Sequence, residues 1–221
     1  MTLLSFVVGT LLMPGGPKPV SFPTSDGSVI YGDEYGTGDR TVVLAHGVRF
    51  NKESWKDQAT QLASSGFRVI AIDFRGYGKS RGGPNARPGF DDLYMDVLGA
   101  VRYARETGAK TVAVVGGSMG GFASANAAVH SKPGEIDRLV LLANPAIEHP
   151  ERIAVPTLFV TSEGDSLAPQ VRDQYGKAPE PKELLLLPGS AHAQNIFATD
   201  QGARLMQNIL RFVSATGTAA H

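Results

Sequence analysis

The chain has 221 residues, 42% of them hydrophobic, which is enough for one compact domain with a sizeable core. Twenty-one basic residues balance 21 acidic ones with no long like-charge block, which argues against nucleic acid or an anionic membrane as the main partner. There is no cysteine, so disulfides and thiolate metal sites are excluded.

In chain order, Leu3–Met13 is apolar but too short to span a bilayer. No Lys or Arg precedes it, and no small-x-small cleavage site follows before Pro14. The segment 1–17 therefore reads as an apolar N-terminal stretch packing on a domain over 18–213, in a cytoplasmic protein, with secretion as the alternative. A loose tail occupies 214–221. Residues 18–35 alternate and turn at Ser25-Asp26-Gly27, which predicts a β-hairpin. Strands are predicted at 41–45, 68–73, 111–115, 139–143, 157–161 and 183–187. Most are continuous Val, Ile and Leu runs, as strands buried on both faces should be. Helices are predicted near 53–65, 91–107, 119–131, 167–177 and 199–213, the last with an apolar stripe of Leu205, Met206, Ile209, Leu210 and Val213. This alternation predicts an α/β fold with a mostly parallel central sheet and helices on both faces. Only 144–156 separates two of the strands, which leaves room for a loop or one short helical turn and no cap domain.

The sharpest motif is Gly116-Gly117-Ser118-Met119-Gly120. It joins the apolar run Thr111–Val115 to the alanine-rich stretch Phe122–Val129, so the order is strand, sharp turn, helix. The glycines allow a strained backbone and close strand–helix contact, and Ser118 sits at a helix N-terminus, where free N–H groups favour developing negative charge. That is a setting for a nucleophile, although glycine and serine also cluster in ordinary turns.

Four further motifs fall at the carboxyl ends of predicted strands, the edge where open α/β sheets build their sites. They are Leu44-Ala45-His46-Gly47-Val48, Asp73-Phe74-Arg75-Gly76-Tyr77-Gly78-Lys79-Ser80, Ser162-Glu163-Gly164-Asp165-Ser166-Leu167-Ala168-Pro169 and Pro188-Gly189-Ser190-Ala191-His192. With the serine elbow, in this order, they resemble the α/β-hydrolase family across nearly all of 20–213, in a small form with little or no lid.

The resemblance implies a single-domain α/β-hydrolase fold and a triad in the chain order Ser118, Asp165, His192. A serine hydroxyl is a poor nucleophile near neutrality unless a base takes its proton. Imidazole can do so and later return the proton to the leaving group. The carboxylate holds the ring's tautomer and stabilises the imidazolium. For the acid, Glu163 is the rival two residues away; the family pattern, an acid four residues before a helix-opening proline, selects Asp165 through Pro169. The resemblance also implies an oxyanion hole from the backbone N–H groups of Val48 and Met119. His46 reads as a structural histidine and Arg75 as an internal ion-pair donor.

Phe50, Trp55, Phe90 and Phe197 are candidates to wall the substrate site, each of which ordinary packing would also explain. Gly78-Lys79-Ser80 resembles a phosphate loop, but Asp73 stands where that motif needs its first glycine. The five histidines have no metal-binding spacing, so no metal and no cofactor are expected. The expected activity is hydrolysis of short-chain, soluble carboxylic esters through an acyl-enzyme. Thioesterase, peptidase and lactone hydrolase share the triad, perhydrolysis needs the same residues, and a non-catalytic binding protein on this fold is the reading from another class. The expected partner is a small-molecule ester; oligomeric state is not legible.

Overall fold

The computed structural model describes residues 16–87 and 89–215. The apolar Leu3–Met13 stretch and the tail beyond 215 lie outside the described residues.

Eight strands form one sheet: β1 (Lys18–Pro23), β2 (Val29–Tyr35), β3 (Arg40–Ala45), β4 (Arg68–Asp73), β5 (Thr111–Gly117), β6 (Arg138–Leu142), β7 (Thr157–Ser162) and β8 (Lys182–Leu187). Their spatial order is β1-β2-β4-β3-β5-β6-β7-β8. β2 pairs antiparallel with both β1 and β4, and every other pairing is parallel, so β2 alone runs against the rest. β4 and β7 are buried at every residue, which is why their centres, Val69–Ile72 and Leu158–Val160, are continuous apolar runs with no alternation.

Among the described residues five α-helices cover the sheet: α1 (Lys56–Ser64), α2 (Tyr94–Glu106), α3 (Met119–His130), α4 (Ala168–Lys177) and α5 (Gly202–Ser214). One core cluster joins Val97, Val101, Ala123, Ala127 and Val171 to one face of the sheet, so α2, α3 and α4 lie there. The other joins Leu62, Leu205, Ile209 and Phe212 to the opposite face, beneath α1 and α5. The predicted apolar stripe of α5 is the contact surface: Leu205, Met206, Ile209 and Val213 are buried, and Leu210 packs against them.

The predicted helix at 53–65 is split, with a 3-10 turn over Lys52–Trp55 preceding α1. Asn51 caps that turn, its side chain accepting the Ser54 N–H, so the chain coils early and tightly. The predicted helix at 91–107 starts only at Tyr94. Between β6 and β7 the chain forms a single 3-10 turn, Pro150–Arg152, and no cap domain.

From β3 the sheet is extended to one side by β4 and to the other by β5. The chain therefore reverses its direction of growth at the β3/β5 pair, and a crevice opens beyond their carboxyl ends. His46-Gly47-Val48 and Ser118 leave the sheet at that crevice.

Candidate active site

Ser118 links β5 directly to α3 and holds φ 53° and ψ −118°, a conformation unfavourable for any residue with a side chain. The surroundings enforce it. A β-carbon at Gly120 would stand 2.2 Å from the Ala45 carbonyl oxygen, and one at Gly116 would stand 2.3 Å from the Gly120 carbonyl oxygen. Only glycine lets α3 settle this closely onto β3 and β5. The Ser118 N–H donates to the Leu142 carbonyl at 2.8 Å, pinning the turn to β6.

His192 Nε2 lies 2.8 Å from Ser118 Oγ, and His192 Nδ1 lies 2.8 Å from Asp165 Oδ2. A carboxylate only accepts, so Nδ1 carries the proton and Nε2 is free to accept the Ser118 hydroxyl. Asp165 is 5% exposed, and its other oxygen accepts the Leu167 N–H at 2.8 Å. The carboxylate is therefore fixed at both ends. The loops bearing Asp165 and His192 are laced together: Glu163 N–H donates to Leu187 O, Gly164 N–H to Gly189 O, and Ser162 Oγ to Ala191 O. The rival acid, Glu163, is exposed. The His192 side chain is 37% exposed, so this arrangement is open to solvent.

The loop after β3 is held as tightly. The Gly47 carbonyl accepts His46 Nδ1–H at 2.8 Å and the Phe50 N–H at 3.0 Å. The Gly47 carbonyl and the Val48 N–H occupy opposite edges of one planar trans peptide, so fixing the first aims the second. Among the described residues neither the Val48 N–H nor the Met119 N–H donates to a protein acceptor, and both remain available for an oxyanion. His46 Nε2 accepts the Phe74 N–H at 3.3 Å, which leaves the ring proton on Nδ1. Burial lowers the proton affinity of His46 below the ordinary histidine value of 6.5. It stays neutral and structural, as its position in the motif suggested.

The four wall candidates separate. Phe50 is half-buried beside the elbow: a β-carbon on Gly47 would lie 3.4 Å from both its ring and Ser118 Cβ. Phe90 is 53% exposed and lines an open cleft of about 440 Å³ together with Tyr77, Arg75 and Leu93. Trp55 is 1% exposed and packs edge-on against Phe197, ring centroids 5.9 Å apart, within the core beneath α1 and α5. Trp55 is thus part of the core, carried inward by the tight 3-10 turn. Phe197, half-buried against the same cluster, is drawn into that packing too.

Two residues escaped sequence reasoning. Tyr77 donates from its hydroxyl to the Val48 carbonyl at 2.8 Å, lies 3.9 Å from Met119 Sδ, and also lines the cleft. Gln194, buried two residues past His192, accepts the Gly47 N–H at 2.7 Å. It carries no distinct sequence signal, since it stands beside a second polar residue, Asn195, in Ala193–Ala198. Arg75 bridges Asp96 and Asp26, as an internal ion-pair donor should. Among the described residues no cluster of three or more His, Cys, Asp or Glu could hold a metal, and no helix is long and apolar enough to cross a membrane.

The chain is similar to several known proteins. The family profile described as serine aminopeptidase, S33, matches residues 36–151. A non-heme chloroperoxidase of Streptomyces lividans is 31% identical over 158 residues, covering 70% of this chain and 52% of that protein. The bifunctional epoxide hydrolase 2 of Sus scrofa is 31% identical over 122 residues, covering 54% of this chain and 18% of that protein. The chain spans about half the length of several curated relatives it matches. Among solved structures, the esterase Pf2001 of Pyrococcus furiosus superposes with a TM-score of 0.72 at 20% identity, over 90% of this chain and 93% of that one, a likeness that speaks for the fold alone. The profile covers more than half of the chain and runs through both the loop after β3 and the serine elbow, so the protein belongs to the α/β-hydrolase family.

Proposed function

We propose that this hydrolase is a serine esterase that cleaves short-chain, soluble carboxylic esters through an acyl-enzyme. The observation that carries the reading is the unbroken relay from Asp165 through His192 to Ser118, each link 2.8 Å. Ser118 Oγ attacks the ester carbonyl while its proton passes to His192 Nε2. The carbonyl oxygen takes the negative charge and rests against the N–H groups of Val48 and Met119. Collapse breaks the bond to the alkoxy group, which leaves with the proton from His192. Water, deprotonated by the same nitrogen, then releases the acid and restores Ser118. This chemistry needs no cofactor.

The chain-length preference rests on openness. The β6–β7 connection forms only the turn Pro150–Arg152, and His192 is partly exposed, so little encloses a long acyl chain. The relatives named for epoxide hydrolysis point to another chemistry, but an elbow bearing Ser118 presents a hydroxyl where a carboxylate nucleophile would be needed. The second reading is an aminopeptidase, favoured by the name of the matching profile.

The test is turnover of p-nitrophenyl acetate, butyrate and octanoate, and of alanine p-nitroanilide, by the wild type and Ser118→Ala. Ester turnover that falls by about 10⁴-fold or more on substitution supports the reading. Faster turnover of octanoate than of acetate overturns the chain-length preference, and dominant anilide cleavage transfers the assignment to peptidase. A folded wild type that is not covalently captured by a fluorophosphonate at Ser118 would be a binding protein.

A further inference from the structure

We infer that Gln194 is a positioning residue for the oxyanion hole, mechanically joining the loop that carries the base to the loop that carries one oxyanion donor. The inference rests on the esterase reading for its chemistry, and its observations are independent of substrate. Gln194 Oε1 accepts the Gly47 N–H at 2.7 Å across 147 residues of sequence. Its Nε2 donates at 2.8 Å to Ser54 Oγ, and Ser54 Oγ in turn donates to the Asn51 carbonyl at 2.5 Å. One buried amide thus clasps both ends of the segment 47–54 that contains Val48.

The placement depends on Ala193. That residue is buried and takes φ 48°, left-handed despite its side chain. The backbone between His192 and Gln194 is thereby turned so that the imidazole reaches Ser118 while the amide passes beneath it. Gln194 Cγ and Oε1 lie 3.2 and 3.4 Å from where a β-carbon on Gly117 would stand, so the side chain runs directly under the elbow. The Gly47 N–H and the Gly47 carbonyl flank one α-carbon: Gln194 fixes the first, and His46 with Phe50 fixes the second. With the peptides on either side of Gly47 held, the Gly47–Val48 peptide plane is restrained, and with it the direction of the Val48 N–H, the donor assigned to the oxyanion. A donor preset in this way costs no reorganisation as charge develops. Replacing the Gln194 acceptor releases the His46–Gly47 peptide, leaves the Gly47–Val48 peptide held from its carbonyl side alone, and leaves His192 on Asp165.

The decisive variant is Gln194→Met, which keeps the length and removes both hydrogen bonds. Ser54→Ala, which loosens Gln194 from its far side, serves should the first variant fail to fold. Three quantities are read on each protein: kcat and KM on p-nitrophenyl butyrate with the pH profile, the rate of capture by a fluorophosphonate, and hydrogen exchange of the Gly47 amide. For Gln194→Met the expected result is a kcat lower by about tenfold, short of the roughly 10²–10³ lost with a whole donor. KM stays within about twofold, the midpoint of the acid limb is unmoved, and Gly47 exchange quickens by roughly tenfold. Ser54→Ala should show the same pattern at about two- to threefold in kcat. Unchanged kcat with faster exchange, a loss confined to KM, or a shifted acid limb would each overturn the inference. A wild type that is captured by the probe yet hydrolyses no ester defeats the esterase reading alone, and Gln194 is then judged on capture rate and exchange. A wild type that is neither captured nor active defeats both.

Discussion

The loops at the carboxyl ends of β3, β5, β7 and β8 differ sharply from the segment between β4 and α2. The first group is cross-braced: Leu142 holds Ser118, Leu187 and Gly189 hold the acid loop, and Gln194 holds Gly47. The β4–α2 segment is anchored mainly in its first half, where Arg75 is clamped by Asp96 and Asp26, Tyr77 donates to the Val48 carbonyl, Arg81 exchanges backbone bonds with Val29 and the Gly83 N–H donates to Ser28 Oγ. Beyond Arg81 the described residues make few backbone bonds, and the segment borders an open cleft with Phe90 half out in solvent. The contrast separates two demands. Proton transfer requires atoms fixed to a few tenths of an ångström, whereas recognition of a leaving or acyl group tolerates a wall that differs in shape.

Four substitutions and a pH series test this contrast. The largest effect should come from cutting the root of the loose segment. Arg75→Met leaves the fully buried Asp96 and the buried Asp26 without their cation, and urea denaturation should show a loss of about 3–5 kcal/mol. Intact stability would mean that the segment is held elsewhere. Next, Gly120→Ala forces a methyl group against the Ala45 carbonyl in the braced region, and should cost about 1–3 kcal/mol together with most of the turnover. A fully active, stable variant would show that the elbow has slack.

A smaller effect is pH-dependent. Because burial keeps the folded-state proton affinity of His46 below the ordinary value of 6.5, the unfolded chain takes up that proton first as pH falls. The stabilising contribution is complete above pH 6.5 and is lost progressively below it, by up to about 1.4 kcal/mol per pH unit until the folded ring protonates. The hydrogen bond to the Gly47 carbonyl, and after it Asp73 and Glu53, oppose the shift without reversing it. Denaturation curves between pH 7 and 5 should show the slope, and His46→Gln should flatten it. The smallest change in stability belongs to the loose region: Phe90→Ala should stay within about 0.5 kcal/mol of the wild type. It should nevertheless alter the ranking of p-nitrophenyl esters. An unaltered ranking would detach the cleft from the site.

Much of this was legible in the residues. The strands announced themselves through apolar runs at their centres, and β7 and β8 were placed to within a residue or so. Gly116 and Gly120 signalled the elbow, since nothing larger fits where α3 meets Ala45. Other features lay beyond local pattern. Trp55 looked like a wall residue because it is a lone large aromatic near the site loops; only the 3-10 turn capped by Asn51 reveals that it points into the core. Gln194 was invisible because its partner, Gly47, is distant in sequence and is met only when β3 and the end of β8 are brought to the same edge. Asp96 gave no sign of pairing with Arg75, since a carboxylate in the first turn of α2 reads as ordinary helix chemistry.

Among the described residues three that are not glycine have positive φ, Ser118, Ala143 and Ala193, and all three sit in loops at the carboxyl ends of strands. For protein engineering this arrangement separates two goals that are usually entangled. Glycine at 143 or 193 would relieve about 1 kcal/mol of steric strain and invite selection in a thermostability screen. The same exchange would multiply the conformations open to the loop before folding and give back much of that gain. At 193 it would also remove the methyl group that keeps the turn between His192 and Gln194 in one shape. A library judged on melting temperature alone would drift toward a tolerant but imprecise enzyme, whereas one judged on turnover would keep both alanines.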